Sequence, residues 1–471
     1  MASSANRSLV WAGAAATILS GAAWWFGTGL HPQAWLTWLA PLPLLLLAPH
    51  LRWQHAALAA LVAGACAGLN LWHYLIDVIG LPLPVGVLAA IGPAATFALA
   101  LLLFRRLWLV RRYAAAALAF PAVWVTVDLV SFLGSPHGTF GSLAYSQLDF
   151  LPFVQFASLT GIWGVSFVLL LASAALAIGL LPGPDRQQRL RVIGTTCLLL
   201  VFVFHFGFKR LSTQADDSLR VGLVSIPGPI RPAMLSGDGQ VLLKRYLAAI
   251  DTLAKRGAQV VVLPETVIST DQTAITELVA SAARNNVTIT AGVAVTDATR
   301  GQRNSALAFV PGAAVPVGYA KHHLIPGFED QYRAGTDYAM LPGTRIGLAV
   351  CKDMDFHDTG RAYSDRAARL LLVPAWDFAV DGRMHSRMAV MRGIESGFAV
   401  ARAALRGNLT LSDNRGRIVA ETSDELGEAT LIGEVALHDS HTLYARWGDW
   451  FAWLAVCALG ATLALSRGKQ P

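Results

Sequence analysis

The chain has 471 residues, 54% of them hydrophobic and only 14% charged, against roughly 25% charged in an ordinary soluble domain. That composition excludes a wholly water-soluble globular protein and requires that much of the chain be solvated by lipid. The net charge of +7 permits attraction to anionic lipid, but it is spread too diffusely to point to a nucleic-acid partner.

Apolar runs able to cross about 30 Å of hydrocarbon are predicted near 9–28, 34–49, 55–79, 84–104, 114–133, 160–182, 191–208 and 448–466. The second is short and contains Pro41 and Pro43. The first follows Arg7 and holds the small residues of a cleavable signal peptide, yet the placement of Lys and Arg argues for keeping it. With the N-terminus inside, the inside loops carry Arg7, Arg52, Arg105, Arg106, Arg111, Arg112, Arg186, Arg189, Arg191, Arg467 and Lys469. The outside loops between the first six spans carry no Lys or Arg, which is the asymmetry expected of cytoplasmic loops. The expectation is a membrane α-helical bundle of eight spans, with seven in 1–208 and the eighth at 448–466. Both termini would then be cytoplasmic and the intervening segment would lie outside the cytoplasmic membrane. Asp128 falls inside the fifth run, where a carboxylate is costly enough to make it a candidate functional residue.

From 219 to 440 the composition becomes that of an α/β domain, long enough to bury a core. β-rich runs at RVGLVSI (220), QVVVLPET (259), VTITAGVAV (287), SALAFV (305) and VGYAKHHL (317) alternate with helical patterns in VLLKRYLAAIDTLAKRG and TAITELVASAARNN. RIGLAVC (345) and RLLLVPAW (369) follow, then a helix around SRMAVMRGIESG, and FAVARAAL, NLTLSDN and RIVAET. Strands this uniformly apolar fit a sheet covered by helices, and their mixed order suggests a layered α/β sandwich.

Three of these runs end on a reactive residue: Glu265 in VVVLPET, Lys321 in VGYAKHHL and Cys351 in RIGLAVC. Cys66, Cys197 and Cys457 lie in predicted spans as small apolar residues, so Cys351 is the one extramembrane thiol. Carboxylate, ammonium and thiol together suit acyl transfer. The carboxylate takes the thiol proton, the ammonium stabilises the oxyanion formed on the attacked carbonyl, and a thioester on the cysteine awaits a second nucleophile. Water would make the enzyme a hydrolase and an amine would make it an N-acyltransferase. Taken singly, Glu265 reads as a strand-end surface carboxylate, Lys321 as a solvated lysine and Cys351 as a buried small residue; only their joint occurrence at the ends of apolar runs lifts the functional reading, and a non-enzymatic membrane scaffold stays open.

The blocks LPET, YAKHHLIPGFE and GLAVCKDMDF resemble the ordered Glu, Lys and Cys segments of the nitrilase, or carbon–nitrogen hydrolase, superfamily. Seven spans plus one around such a domain, with GSLAYSQLDFLPFVQFASLTGIWGVSFV at 141–168, resemble the apolipoprotein N-acyltransferases of bacterial inner membranes. The resemblance implies Glu265 as general base, Lys321 as oxyanion stabiliser, Cys351 as acylated nucleophile and Glu329 as a supporting carboxylate. It implies a phospholipid acyl donor, a lipidated protein or other amine acceptor, and no cofactor. A membrane-tethered amidase is the alternative within the superfamily. The sequence departs from the family after the nucleophile, where Lys352 and Asp353 replace an aromatic and a glutamate. Gly327 and Phe328 are exchanged, and VPAWDFAVDG stands where an Asn-Asp pair is common. Asp353, Trp376 and Phe378 are therefore candidate substrate contacts, the last two as an apolar lip. His322, His323, His357, Asp353 and Asp355 match no common zinc spacing and read as solvated loop residues, so no metal is expected.

Overall fold

The structure, a computed structural model, describes residues 2–297, 299 and 301–467, so Lys469 lies outside the described residues. It divides into two units. One is helical and holds the described residues up to Gly134, then Gly141–Leu211 and those from Asp449 onward; the other holds Ser135–Phe140 and Ser212–Gly448.

Five helices of the first unit are long and apolar enough to cross a membrane: Arg7–Gly27, Leu83–Leu109, Tyr113–Gly134, Ala157–Leu180 and Arg186–Leu211. Three shorter apolar helical segments, Ala34–Leu47, Trp53–Leu69 and Trp450–Ser466, overlap the remaining predicted runs, of which 55–79 extends ten residues beyond its helix. The run at 34–49 is broken into Ala34–Leu39 and Leu42–Leu47, because Pro41 cannot supply the N–H that would continue the first helix. The last helix is tied to Ala157–Leu180 by Trp163 Nε1 donating to Asp449 Oδ1 (2.7 Å) and Trp450 Nε1 to the Leu159 carbonyl (2.9 Å).

The second unit contains twelve described strands: β1 (Asp217–Ser225), β2 (Val260–Val262), β3 (Ile268–Thr270), β4 (Thr288–Asp297), β5 (Gly301–Phe309), β6 (Val317–Ala320), β7 (Ile346–Leu348), β8 (Leu370–Trp376), β9 (Ala399–Leu405), β10 (Asn408–Ser412), β11 (Ile418–Ser423) and β12 (Ala429–Leu437). One sheet runs β12-β1-β2-β4-β5-β6 with β3 also on β4, and the other runs β11-β10-β9-β8-β7. Val221, Leu223, Val260 and Ala306 of the first sheet share a buried cluster with Leu348, Leu370, Ala401 and Leu411 of the second, so the two sheets face one another. Helices Gly237–Lys255 and Thr276–Asn285 cover the outer face of the first sheet. Gly382–Ser396 and His357–Asp365 cover the second. Both faces of every central strand are thus buried, which is why their sequences carry unbroken runs of Val, Leu and Ala rather than alternation.

Candidate active site

Glu265 stands on an arch between two short strands. β2 pairs parallel with Thr288–Thr290 of β4 and β3 pairs parallel with Val293–Val295 of the same strand, and the chain leaves the sheet between them. Gly292 N–H donates to the Pro264 carbonyl (3.0 Å), and the Gly292 carbonyl accepts from Val267 N (2.9 Å). Glu265 N–H reaches across to the Ala375 carbonyl at the end of β8 (3.1 Å). Thr266 follows at φ +48°, a left-handed conformation that completes the arch.

Lys321 lies one residue past β6, with its N–H on the Asn304 carbonyl (2.8 Å) and its own carbonyl accepting from Gly335 N (2.9 Å). Its ammonium is fully buried and held at 2.8 Å by both Glu265 Oε1 and Glu329 Oε2. Asn304 Nδ2 bridges the same two carboxylates, at 2.5 Å from Glu265 Oε1 and 2.6 Å from Glu329 Oε1. Glu329 Oε2 also accepts from Ile325 N (2.8 Å), which fixes the loop that carries it. Burial works against the Lys321 charge, but Glu265 first and then Cys351 and Glu329 hold the ammonium well above the ordinary lysine range. Burial raises the Glu265 carboxyl above its usual range; Lys321 opposes the rise and Glu329 adds to it.

Cys351 opens a tight turn, Cys351–Asp355, three residues past β7. Its φ of +44° is a strained conformation for a side chain with a Cβ, costing about 1–3 kcal/mol and persisting only where the surroundings enforce it. The thiol donates to the Trp376 carbonyl at 3.5 Å. Burial, and then the Glu265 charge, push the thiol well above its usual range, with Lys321 and Arg402 pulling the other way.

Asp353 has a different place from the substrate contact expected of it. It is fully buried and both oxygens are occupied. Oδ2 accepts from Tyr319 Oη (2.8 Å) and Val350 N (3.1 Å), and Oδ1 from His322 N (3.1 Å) and His323 N (2.9 Å). It thus ties the turn of the cysteine to the segment just after the lysine. His357, Asp353 and Asp355 are also not solvated, since all three are buried. Trp376 ends β8 and Phe378 follows it, their rings 5.2 Å apart, with Phe328 5.2 Å from Phe378. The exchanged Phe328 thereby joins the two expected aromatics. Between them, Asp377 is buried against Arg402 in a two-pronged ion pair (2.5 and 2.8 Å). Asp128 lies on Tyr113–Gly134 of the helical unit, and its Oδ2 has no hydrogen-bond partner among the described residues.

Residues 20–175 match the apolipoprotein N-acyltransferase N-terminal domain family, and residues 220–444 match the carbon–nitrogen hydrolase family. Apolipoprotein N-acyltransferase of Geobacter metallireducens is 26% identical over 94% of this chain and 92% of its own length. That of Bradyrhizobium diazoefficiens is 28% identical over 84% and 80%. The chain belongs to the apolipoprotein N-acyltransferase family. Among solved structures, an amidase from Nesterenkonia sp. AN1 is similar at 19% identity and a TM-score of 0.39, covering 46% of this chain and 92% of its own. The cluster also holds one residue that the sequence did not single out. Asn304 sits inside RNSALAF, and its signal was a polar residue in an otherwise apolar strand.

Proposed function

We propose that this acyltransferase takes a fatty acyl chain from a membrane phospholipid onto Cys351 and passes it to the α-amine of a diacylglyceryl-cysteine at a lipoprotein N-terminus. The observation that carries this reading is Lys321, buried and clamped between Glu265 and Glu329, in a cluster electrostatically coupled to the strained Cys351 turn. The lipoprotein acceptor and lipid donor are supported by the names of relatives that span nearly the whole chain.

In the first half-reaction Glu265 takes the thiol proton as Sγ attacks the ester carbonyl. Lys321 stabilises the resulting oxyanion, and the lysophospholipid alcohol leaves with the proton that Glu265 returns. In the second, the amine attacks the thioester, Glu265 accepts an N–H proton, and the thiolate is restored to a thiol. Glu329 holds Lys321 in place, since a lysine bonded to a second carboxylate stays charged when Glu265 is neutralised. Trp376, Phe378 and Phe328 offer apolar surface for the acyl chain. The five long helices and three shorter apolar ones are consistent with eight spans, and the Lys and Arg distribution supports cytoplasmic termini and a catalytic unit on the periplasmic side.

Intact mass spectrometry of the detergent-solubilised protein after incubation with phosphatidylethanolamine, without an acceptor, tests this reading. An acyl mass that hydroxylamine removes, that a diacylated lipopeptide discharges and that Cys351→Ser lacks is the expected result. An acyl mass retained in Cys351→Ser, or discharge by water alone at the same rate, would refute the route.

A further inference from the structure

The residue after the nucleophile is anomalous in the fold as well as in the sequence. Lys352 is only 5% exposed, and its ammonium has one hydrogen-bond partner, Nδ1 of His137 at 3.2 Å. It forms no ion pair among the described residues. A buried ammonium normally has a carboxylate or several acceptors. Here burial pushes it below the ordinary lysine range; Asp355 opposes that effect, and the like charge of Lys321 reinforces it.

His137 is exposed. It belongs to Ser135–Phe140, which folds with the catalytic unit and is fastened to the last residue of the cysteine's turn. Thr139 donates both its N–H (3.1 Å) and its Oγ1 (2.9 Å) to the Asp355 carbonyl. Gly138, at φ +59°, approaches so closely that a Cβ would stand 2.5 Å from that same oxygen. The result is a buried ammonium hydrogen-bonded to an exposed imidazole. It lies within electrostatic range of Cys351, Lys321 and Glu329. Two fixed nitrogen donors with surplus positive charge complement a phosphate monoanion, whose oxygens accept charge-assisted hydrogen bonds. A neutral ester or amide would leave the ammonium uncompensated.

We propose that Lys352 and His137 form a subsite for the phosphate group of the acyl-donor lipid, an inference that rests on the reading of Cys351 as the acylated nucleophile. The test is the rate of acyl-enzyme formation in mixed micelles, with phosphatidylglycerol and diacylglycerol of the same chains as donors. The wild-type chain is expected to prefer the phospholipid. Lys352→Met keeps the volume of the buried side chain and removes its charge, and His137→Ala alters an exposed position. Each is expected to raise the mole fraction of phosphatidylglycerol for half-maximal labelling about tenfold and to erode the preference over diacylglycerol. Inorganic phosphate is expected to slow labelling by phosphatidylglycerol in the wild type and less in the variants. A preference left intact in both variants overturns the proposal. So does inhibition by phosphate that the variants abolish without change in donor preference, since that marks a site for free phosphate. Labelling of the wild type by neither donor would bring down the Cys351 reading itself, and this subsite with it.

Discussion

Replacing Gly292 by alanine tests whether the position of Glu265 is set by the neighbouring strand. A Cβ at Gly292 would stand 2.4 Å from Glu265 Cα, 2.5 Å from the Pro264 oxygen and 2.8 Å from Thr266 N. All three are backbone atoms, so no side chain can swing aside. Restoring ordinary contact requires the arch to move by about 1 Å, and a misplacement of that size costs on the order of a hundredfold in rate, or about 2.7 kcal/mol of barrier. Overpacking of this kind also destabilises by about 1–3 kcal/mol. Gly318→Ala is the control: its Cβ would meet only Leu307 Cδ2 at 3.5 Å, an ordinary contact, although it lies on β6, which leads to Lys321. The assay is single-turnover acylation of Cys351, alongside thermal unfolding of both variants. A Gly292→Ala protein that is destabilised yet acylates within threefold of wild type would refute the claim that the arch fixes Glu265.

Two further outcomes follow from the buried charges. Asn304→Leu removes a hydrogen bond that holds the Glu265 carboxyl down, so the acidic limb of the pH profile for acylation moves to higher pH; an unmoved limb would show that Asn304 does not reach the base. His323 is raised to about 9: burial opposes its charge, and its bonds to Asp353 and Asp358 outweigh that burial. A raised pKa means stability that is full below about 6.5 and lost as pH climbs through about 9, here on the order of 3 kcal/mol. Thermal unfolding between pH 6 and 10 should decline in the wild type and flatten in His323→Phe.

The strand ends that carry Glu265, Lys321 and Cys351 were legible because a buried strand is uniformly apolar, so the first polar residue after it stands out. The presence of long apolar helices in the membrane half was legible from length and composition, while their ends were not: the run at 55–79 holds a helix only at Trp53–Leu69, followed by a separate turn at Tyr74–Val78. What the sequence concealed were partnerships set by topology. Asn304 and Lys321 meet because β5 and β6 pair antiparallel, with Ser305 opposite Ala320, a register that no local pattern encodes. β12, the strand from Ala429 to Leu437 beside β1, escaped notice because its outer positions are half-exposed and its pattern is mixed. The buried state of Asp353, Asp355 and His357 was hidden by composition. Three acidic and basic residues in a short polar stretch read as solvent-facing, and only the closing of two turns on one another buries them.

Asp353 shows why the substitutions after the nucleophile belong together. Its carboxylate receives N–H groups from both sides of the site, Val350 before the cysteine and His322 and His323 after the lysine, so the spacing of nucleophile and ammonium depends on one buried side chain. Tyr319 Oη, donating at 2.8 Å from β6, completes the set of donors around it. With the carboxylate drawn inward to this scaffold, it pairs with His323 and leaves the adjacent Lys352 without a carboxylate of its own. Its one hydrogen-bond partner among the described residues is instead His137 Nδ1, at 3.2 Å.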